Sequence, residues 1–185
     1  LSATLAAGDK FVRTFGKVPE IIAPKTTAGE CERLIIIPSL NRKCRKDTDL
    51  AKRIIRDKKA LILVPSYRRK EVWKDVLTKQ EEDNVTQQIE KFKQSSSPDK
   101  LLLVSRYDGV DLPGDTCRVM VIDKLPSSLN PLEIYFWEQL SLAKSLRSAI
   151  ASRVVQGFGR ISRGMSDYGV AVITDKKLID WLLEP

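Results

Sequence analysis

An α/β fold, with a mostly parallel sheet flanked by helices, is the class the sequence predicts, and three observations predict it. Several short apolar runs are nearly uninterrupted, the mark of strands buried on both faces rather than on one. Stretches with helical apolar spacing lie between them, and strands that alternate with helices build a parallel sheet. The composition agrees: 42% hydrophobic but only 6% aromatic residues supplies the branched aliphatic side chains that fill a covered sheet. At 185 residues the chain has the length for one compact domain with a sizeable core.

Taken in order, strands are predicted at residues 20–23, 34–37, 60–64, 101–104, 119–122 and 170–173, each dominated by Ile, Leu, Val or Ala. Helices are predicted over 48–56, 69–78, 85–93, 132–145 and 148–162, where apolar residues return at helical spacing. Polar punctuation at 26–30, 95–99, 112–116 and 126–131 is rich in turn-forming residues and separates the elements. A basic run at 42–46 joins a strand to a helix, and is either a solvated loop or a surface facing nucleic acid.

Lysine and arginine number 32 against 24 acidic residues, giving a formal charge of +8. Such a balance favours polyanionic partners through phosphate contacts and counterion release, although a basic surface also simply keeps a protein soluble. Histidine is absent, which excludes Ser-His triads, histidine-ligated zinc and imidazole acid–base chemistry. Cys31, Cys44 and Cys117 are odd in number and widely spaced, so they suggest neither a disulfide framework nor a protein metal site. They read as thiols of an intracellular protein, cytoplasmic in a prokaryote or nuclear in a eukaryote. No apolar run approaches the ~18 residues of a membrane span, and the first seven residues lack the basic flank of a signal peptide. No membrane partner is expected.

Ligands of an open parallel sheet bind beyond the carboxyl ends of its strands, so the segments following Val64, Val104 and Ile122 are favoured places for chemistry. Pro65-Ser66-Tyr67-Arg68 follows one predicted strand, and Ser105-Arg106-Tyr107-Asp108-Gly109-Val110-Asp111 follows another. The most informative stretch is Gln156-Gly157-Phe158-Gly159-Arg160-Ile161-Ser162-Arg163. On a helix its spacing places Gln156, Arg160 and Arg163 on one face. Gly159 leaves the neighbouring surface without a Cβ, so that a phosphate or another backbone can come close, and two guanidiniums form a forked receptor for phosphate oxygens. The alternative is a helix that carries two surface arginines by chance.

This stretch, with Gly164-Met165-Ser166-Asp167-Tyr168-Gly169 and Asp175-Lys176-Lys177 beyond it, resembles motif VI of superfamily-two helicases, and the XPD and DinG branch in particular. Asp108-Gly109-Val110-Asp111-Leu112-Pro113-Gly114-Asp115 is similar to that branch's motif V, with Asp108 where the family more often has Glu. Pro65 to Arg68 resembles motif IV, and Leu1-Ser2-Ala3-Thr4-Leu5 resembles motif III. The four stand in the family's order along nearly the whole chain.

The resemblance implies a RecA-like three-layer sandwich. Residues 1–7 would then end a first motor lobe and link it to a second lobe at 8–185, in a longer protein whose setting is DNA repair. It further implies ATP with Mg2+, held between this lobe and an N-terminal RecA-like lobe. Arg163 would be the arginine finger, Arg160 its partner, and Gln156 would fix the arginines or touch the nucleotide. Gly109 and Asp111 would close around the ribose or the magnesium-side water, with Gly159 lining the approach. Ser66, Tyr67, Arg68, Ser105 and Arg106 would hold single-stranded DNA by phosphate contacts and stacking. Many relatives carry an iron–sulfur cluster, held by cysteines of their first half.

A phosphate-binding loop of the form G-x-x-x-x-G-K-[ST] is missing from the sequence: Gly109 and Gly114 have the right separation, but Asp115 stands where the lysine belongs. No D-E-A-H or D-E-A-D box is present either. The chain is therefore expected to supply one wall of an ATP site and to be inactive as an ATPase alone. A non-catalytic α/β module that binds nucleic acid through the same basic loops is the competing reading.

Overall fold

A computed structural model describes residues 16, 31–41, 47–77, 84–95, 98–106, 110–112, 114–124, 135, 143–161 and 167–183. Its five strands are β1 (Glu32–Ile36), β2 (Ala60–Val64), β3 (Lys100–Val104), β4 (Val119–Ile122) and β5 (Tyr168–Ile173). They form one sheet in the order β1-β5-β4-β2-β3, every neighbouring pair parallel. All five carboxyl ends therefore open on one rim.

The helices are α1 (Asp47–Ile55), the single turn α2 (Tyr67–Lys70), α3 (Val85–Gln94), α4 (Ala143–Phe158) and α5 (Lys176–Leu183). Side chains alternate across a strand, and two buried clusters result. Leu61, Leu63, Leu101, Leu103, Met120 and Ile122 meet Phe92 of α3, Ile150 and Val154 of α4, and Leu178 and Ile179 of α5. Ile62, Val64, Leu102, Val121 and Val172 meet Ala51 and Ile55 of α1 together with Trp73. Helix, sheet and helix make the three layers of a RecA-like domain.

Several elements differ from the predicted ones. β1 has Leu34 59% and Ile35 47% exposed, so its apolar run is not covered on both faces among the described residues; it is the edge of the described sheet, where its one neighbour is β5. The helix predicted over 69–78 is instead α2 followed by a 3-10 segment, Glu71–Val76. β-Branched Val72 and Val76 favour a helix weakly, and Arg69 and Trp73 both turn to the carboxylate of Asp123.

The boundary predicted near 146–147 is absent, because Leu146 and Arg147 are both good helix formers and α4 runs through them. α4 stops at Phe158 rather than 162. The Gly159 N–H still makes the helical bond to Val155 O at 3.0 Å, and the chain then tightens, with the Arg160 N–H on Gly157 O, three residues back, at 3.0 Å. α5 has no counterpart among the predicted helices. The strand predicted at 20–23 and all of the 132–145 helix before residue 143 except Tyr135 lie outside the described residues.

Cys117 is fully buried beside β4, and its thiol donates to Val119 O at 3.2 Å. Burial pushes its pKa up to about 11, against the smaller opposing effect of its backbone hydrogen bonds. The unfolded thiol titrates near ~8.5, so the folded state keeps a proton that the unfolded state loses. This contribution is complete below that value and is lost as pH rises toward the folded pKa. Cys117 is expected to resist a thiol-reactive reagent at pH 8 until denaturant is added; rapid labelling of the native chain at this position, located by mass spectrometry, would contradict the burial.

Candidate functional site

The rim is built by the segments that leave the strands. After β2, Ser66 caps α2: its Oγ accepts the Arg69 N–H at 3.4 Å and its carbonyl accepts the same N–H at 3.0 Å. An oxygen that accepts still has its own proton to donate. Tyr67 is 78% exposed and Arg68 is exposed, so neither ring nor guanidinium is used in packing. After β3, Ser105 adopts a left-handed φ of 52°, uncommon outside glycine. Its N–H bonds Val64 O at 2.8 Å and its Oγ donates to Pro65 O at 2.6 Å. Arg106 beside it is exposed.

Adjacent pairing of β2 and β3 thus brings Ser66, Tyr67, Arg68, Ser105 and Arg106 to one place. Ser105 differs from the others in chemistry. Its single hydroxyl proton is spent on Pro65, so it ties the two loops together and cannot donate to a phosphate while that bond stands.

A second corner joins the end of α4 to the loop that carries Asp111. Arg160 Nη1 donates to Val110 O at 2.8 Å, and the Leu112 N–H donates back to Arg160 O at 3.1 Å. Arg160 therefore faces the Asp111 loop rather than the core, and Asp111 itself is exposed. Because α4 ends at Phe158, Arg160 reaches this position from a turn and not from the helical face expected for Gln156 and Arg160. Gln156 is half-buried in the last helical turn.

The glycine that lies on the sheet is Gly157, where a Cβ would stand 3.5 Å from Leu63 Cδ1 and 3.9 Å from Ile122 Cδ1. A Cβ on Gly159 would meet only the carbonyls of Gln156 and Val155, at 3.5 and 3.6 Å. Arg163, Gly109, Tyr107, Asp108 and residues 1–15 lie outside the described residues.

The third feature of the rim lies in the segment after Ile122, a favoured strand end at which no site residue is predicted. Asp123, directly after β4, is fully buried, and its carboxylate accepts four hydrogen bonds. Arg69 donates through Nε at 2.6 Å and Nη2 at 3.0 Å, Trp73 through Nε1 at 2.6 Å, and Thr174 through Oγ1 at 2.6 Å. Arg69 Nη2 also reaches Thr48 Oγ1 of α1 at 3.2 Å. The next residue, Lys124, has a φ of 77° and pairs with Asp175 at 3.3 Å. Burial raises the pKa of nearby Asp47; the positive charge of Lys124 opposes this and the negative charge of Asp175 adds to it. An aspartate at a strand's carboxyl end, where ligands gather, is the one signal that could have found Asp123.

Other charged groups stand away from this rim. Asp115, at the amino end of β4, pairs with Arg118, whose guanidinium also meets Asp167 and stacks 3.8 Å over the Tyr168 ring. A cavity of about 360 Å³ between α1 and the 3-10 segment is lined by Lys52, Arg53, Arg56, Asp75, Val76 and Lys100. Its lysines are committed, Lys52 to Asp75 at 2.6 Å and Lys100 to Arg56 O at 2.7 Å and Pro98 O at 3.1 Å. Among the described residues no cluster of side chains could hold a metal ion, and no helix is long and apolar enough to cross a membrane.

Comparison with known proteins adds two findings. A family model described as the helicase C-terminal domain matches residues 50–181, a span that contains every predicted site residue. A probable ATP-dependent helicase of Methanocaldococcus jannaschii is 35% identical over 100 aligned residues, covering 44% of this chain. That match spans only 15% of the relative's length.

Proposed function

The chain belongs to the helicase C-terminal domain family of the XPD and DinG type, and from that premise we propose that it forms the second motor lobe of an ATP-dependent DNA helicase. The observation that carries this reading is the reciprocal tie of Arg160 to Val110 and Leu112, which sets the turn before Arg163 against the Asp111 loop at the open rim. ATP with its Mg2+, shared with a first lobe, supplies the γ-phosphoryl group and the free energy of hydrolysis. Arg163 extends toward that phosphoryl group as the finger. Arg160, committed to Val110, positions the turn, and Gln156 supports it from the last turn of α4. Gly109, Asp111 and Gly159 border the nucleotide.

On the β2–β3 side, Tyr67 stacks a base of single-stranded DNA while Arg68, Arg106 and the Ser66 hydroxyl take phosphates. Ser105 serves by fixing the two loops to each other. Tyr67→Ala is expected to weaken single-strand binding by about 1–3 kcal/mol, the worth of one stacked base. Arg68→Ala should lower the slope of log affinity against log salt by about 0.7, one phosphate contact. Fluorescence anisotropy with a labelled oligonucleotide between about 50 and 200 mM salt, where counterion release dominates the affinity, measures both. An affinity indifferent to salt would remove the phosphate contacts.

The exposure of Tyr67, Arg68 and Arg106 alone would also suit a binding module without coupled hydrolysis. Joining this chain to a first lobe separates the two readings. The motor reading expects DNA-stimulated ATP turnover from the joined protein and none above background from the chain alone. Magnesium-dependent hydrolysis by the pure chain, or a joined protein that binds DNA without turnover, would reject it.

A further inference from the structure

We propose that Asp123 is a positioning residue for the DNA contact, its buried carboxylate locking the turn that carries Tyr67 and Arg68 in one pose at the rim. The inference rests on the reading of that turn as a strand contact. α2 has only four residues, too few to hold a helical turn by itself. Its pose must come from outside, and the described structure offers one strong anchor. Arg69, the residue after Arg68, gives Asp123 a bidentate fork, and Trp73 gives it the indole N–H from the following 3-10 segment. Thr174 after β5 fills the remaining place. Two oxygens with about four lone-pair sites thus hold four donors, a fully satisfied group.

Position rather than bulk stability accounts best for such a group. A buried ion pair loses its hydration, and apolar residues in place of all its members would fill the same space at no greater cost. What the carboxylate adds is direction: fork geometry fixes the Arg69 guanidinium in a plane. Through Arg69 it fixes the orientation of the two side chains immediately before it. Because Asp123 and Thr174 directly follow β4 and β5, and Thr48 lies in the first turn of α1, the turn is referenced to three separate elements. A shift of those ends would carry Tyr67 and Arg68 with it.

The test uses this chain and an oligo(dT) containing one 2-aminopurine, whose fluorescence falls when it stacks. Asp123→Asn keeps the shape and removes the charge. Provided it melts cooperatively above the assay temperature, it should lose the stacking signal at saturating protein and bind about 5- to 150-fold more weakly, the loss expected when one base is no longer stacked. Combined with Tyr67→Ala, it should weaken binding by clearly less than the sum of the two single losses, since both remove the Tyr67 contact. If Asp123→Asn does not fold, Arg69→Lys, which keeps the charge but loses the fork, carries the same measurements.

A folded variant with stacking intact, or losses that simply add in the double variant, would overturn the lock. Failure of the underlying reading has a different signature: Tyr67→Ala by itself would leave binding and fluorescence unchanged.

Discussion

Arg163→Ala, made in the motor assembled from this chain and a first lobe, is expected to lower DNA-stimulated ATP turnover by about 10³- to 10⁵-fold while single-strand affinity stays near that of the parent protein. The magnitude follows from charge. In phosphoryl transfer negative charge spreads over the equatorial oxygens, and a guanidinium placed there in a water-poor cleft stabilises the transition state more than the ground state. Arg160→Ala should look different. It removes the donor to Val110 O, so the Asp111 loop loosens and both stability and turnover decline together. Steady-state turnover and oligonucleotide anisotropy on the same preparations distinguish the two arginines. Unchanged turnover in Arg163→Ala would transfer the weight to the binding-module reading.

Asp123→Ala carries the largest stability effect expected here, about 3–5 kcal/mol, because removing one partner of a buried pair leaves the other uncompensated. Arg69 would lose both bonds of its fork, and the Trp73 indole and Thr174 hydroxyl would be left without their acceptor. For a domain of this length about 2–4 °C of melting temperature accompanies each kcal/mol, so the midpoint should fall by roughly 6–20 °C. Urea unfolding monitored by Trp fluorescence reads the same quantity. A midpoint within a degree or two of the parent's would mean that solvent satisfies the orphaned donors, and that the network is looser than its distances indicate.

How much of this is legible in the sequence depends on what each residue must touch. The predicted β2 and β4 agree with the structure residue for residue, and β3 to within one. Strands covered on both faces have to be apolar throughout, and β2 is buried at every position. β1 carries a similar run at the edge, where the run alone does not reveal the exposure. The rule that ligands gather at strand ends correctly sets Ser66–Arg68 and Ser105–Arg106 on one rim. It cannot show that β2 and β3 are direct neighbours or that Ser105 spends its proton on Pro65.

Asp123 escapes because one aspartate after a strand looks like any turn former. Its partners, Arg69 and Thr174, lie about fifty residues away on either side. The 3-10 segment escapes for the same reason, since the pull of Trp73 toward that carboxylate is tertiary. α5 is hidden by the charged Asp175-Lys176-Lys177 at its start, although Leu178 and Ile179 then turn inward.

β1 is the earliest strand described and β5 the latest, yet in the described sheet they are each other's neighbours. During synthesis the ribosome releases the amino-terminal member of this pair long before its mate exists. β2, β3 and β4 can assemble first, but the side of β1 that β5 covers has to wait until β5 has emerged. Chaperone dependence and misassembly of this domain should therefore concentrate in chains stalled short of β5, when the loop that closes the sheet is longest and still open.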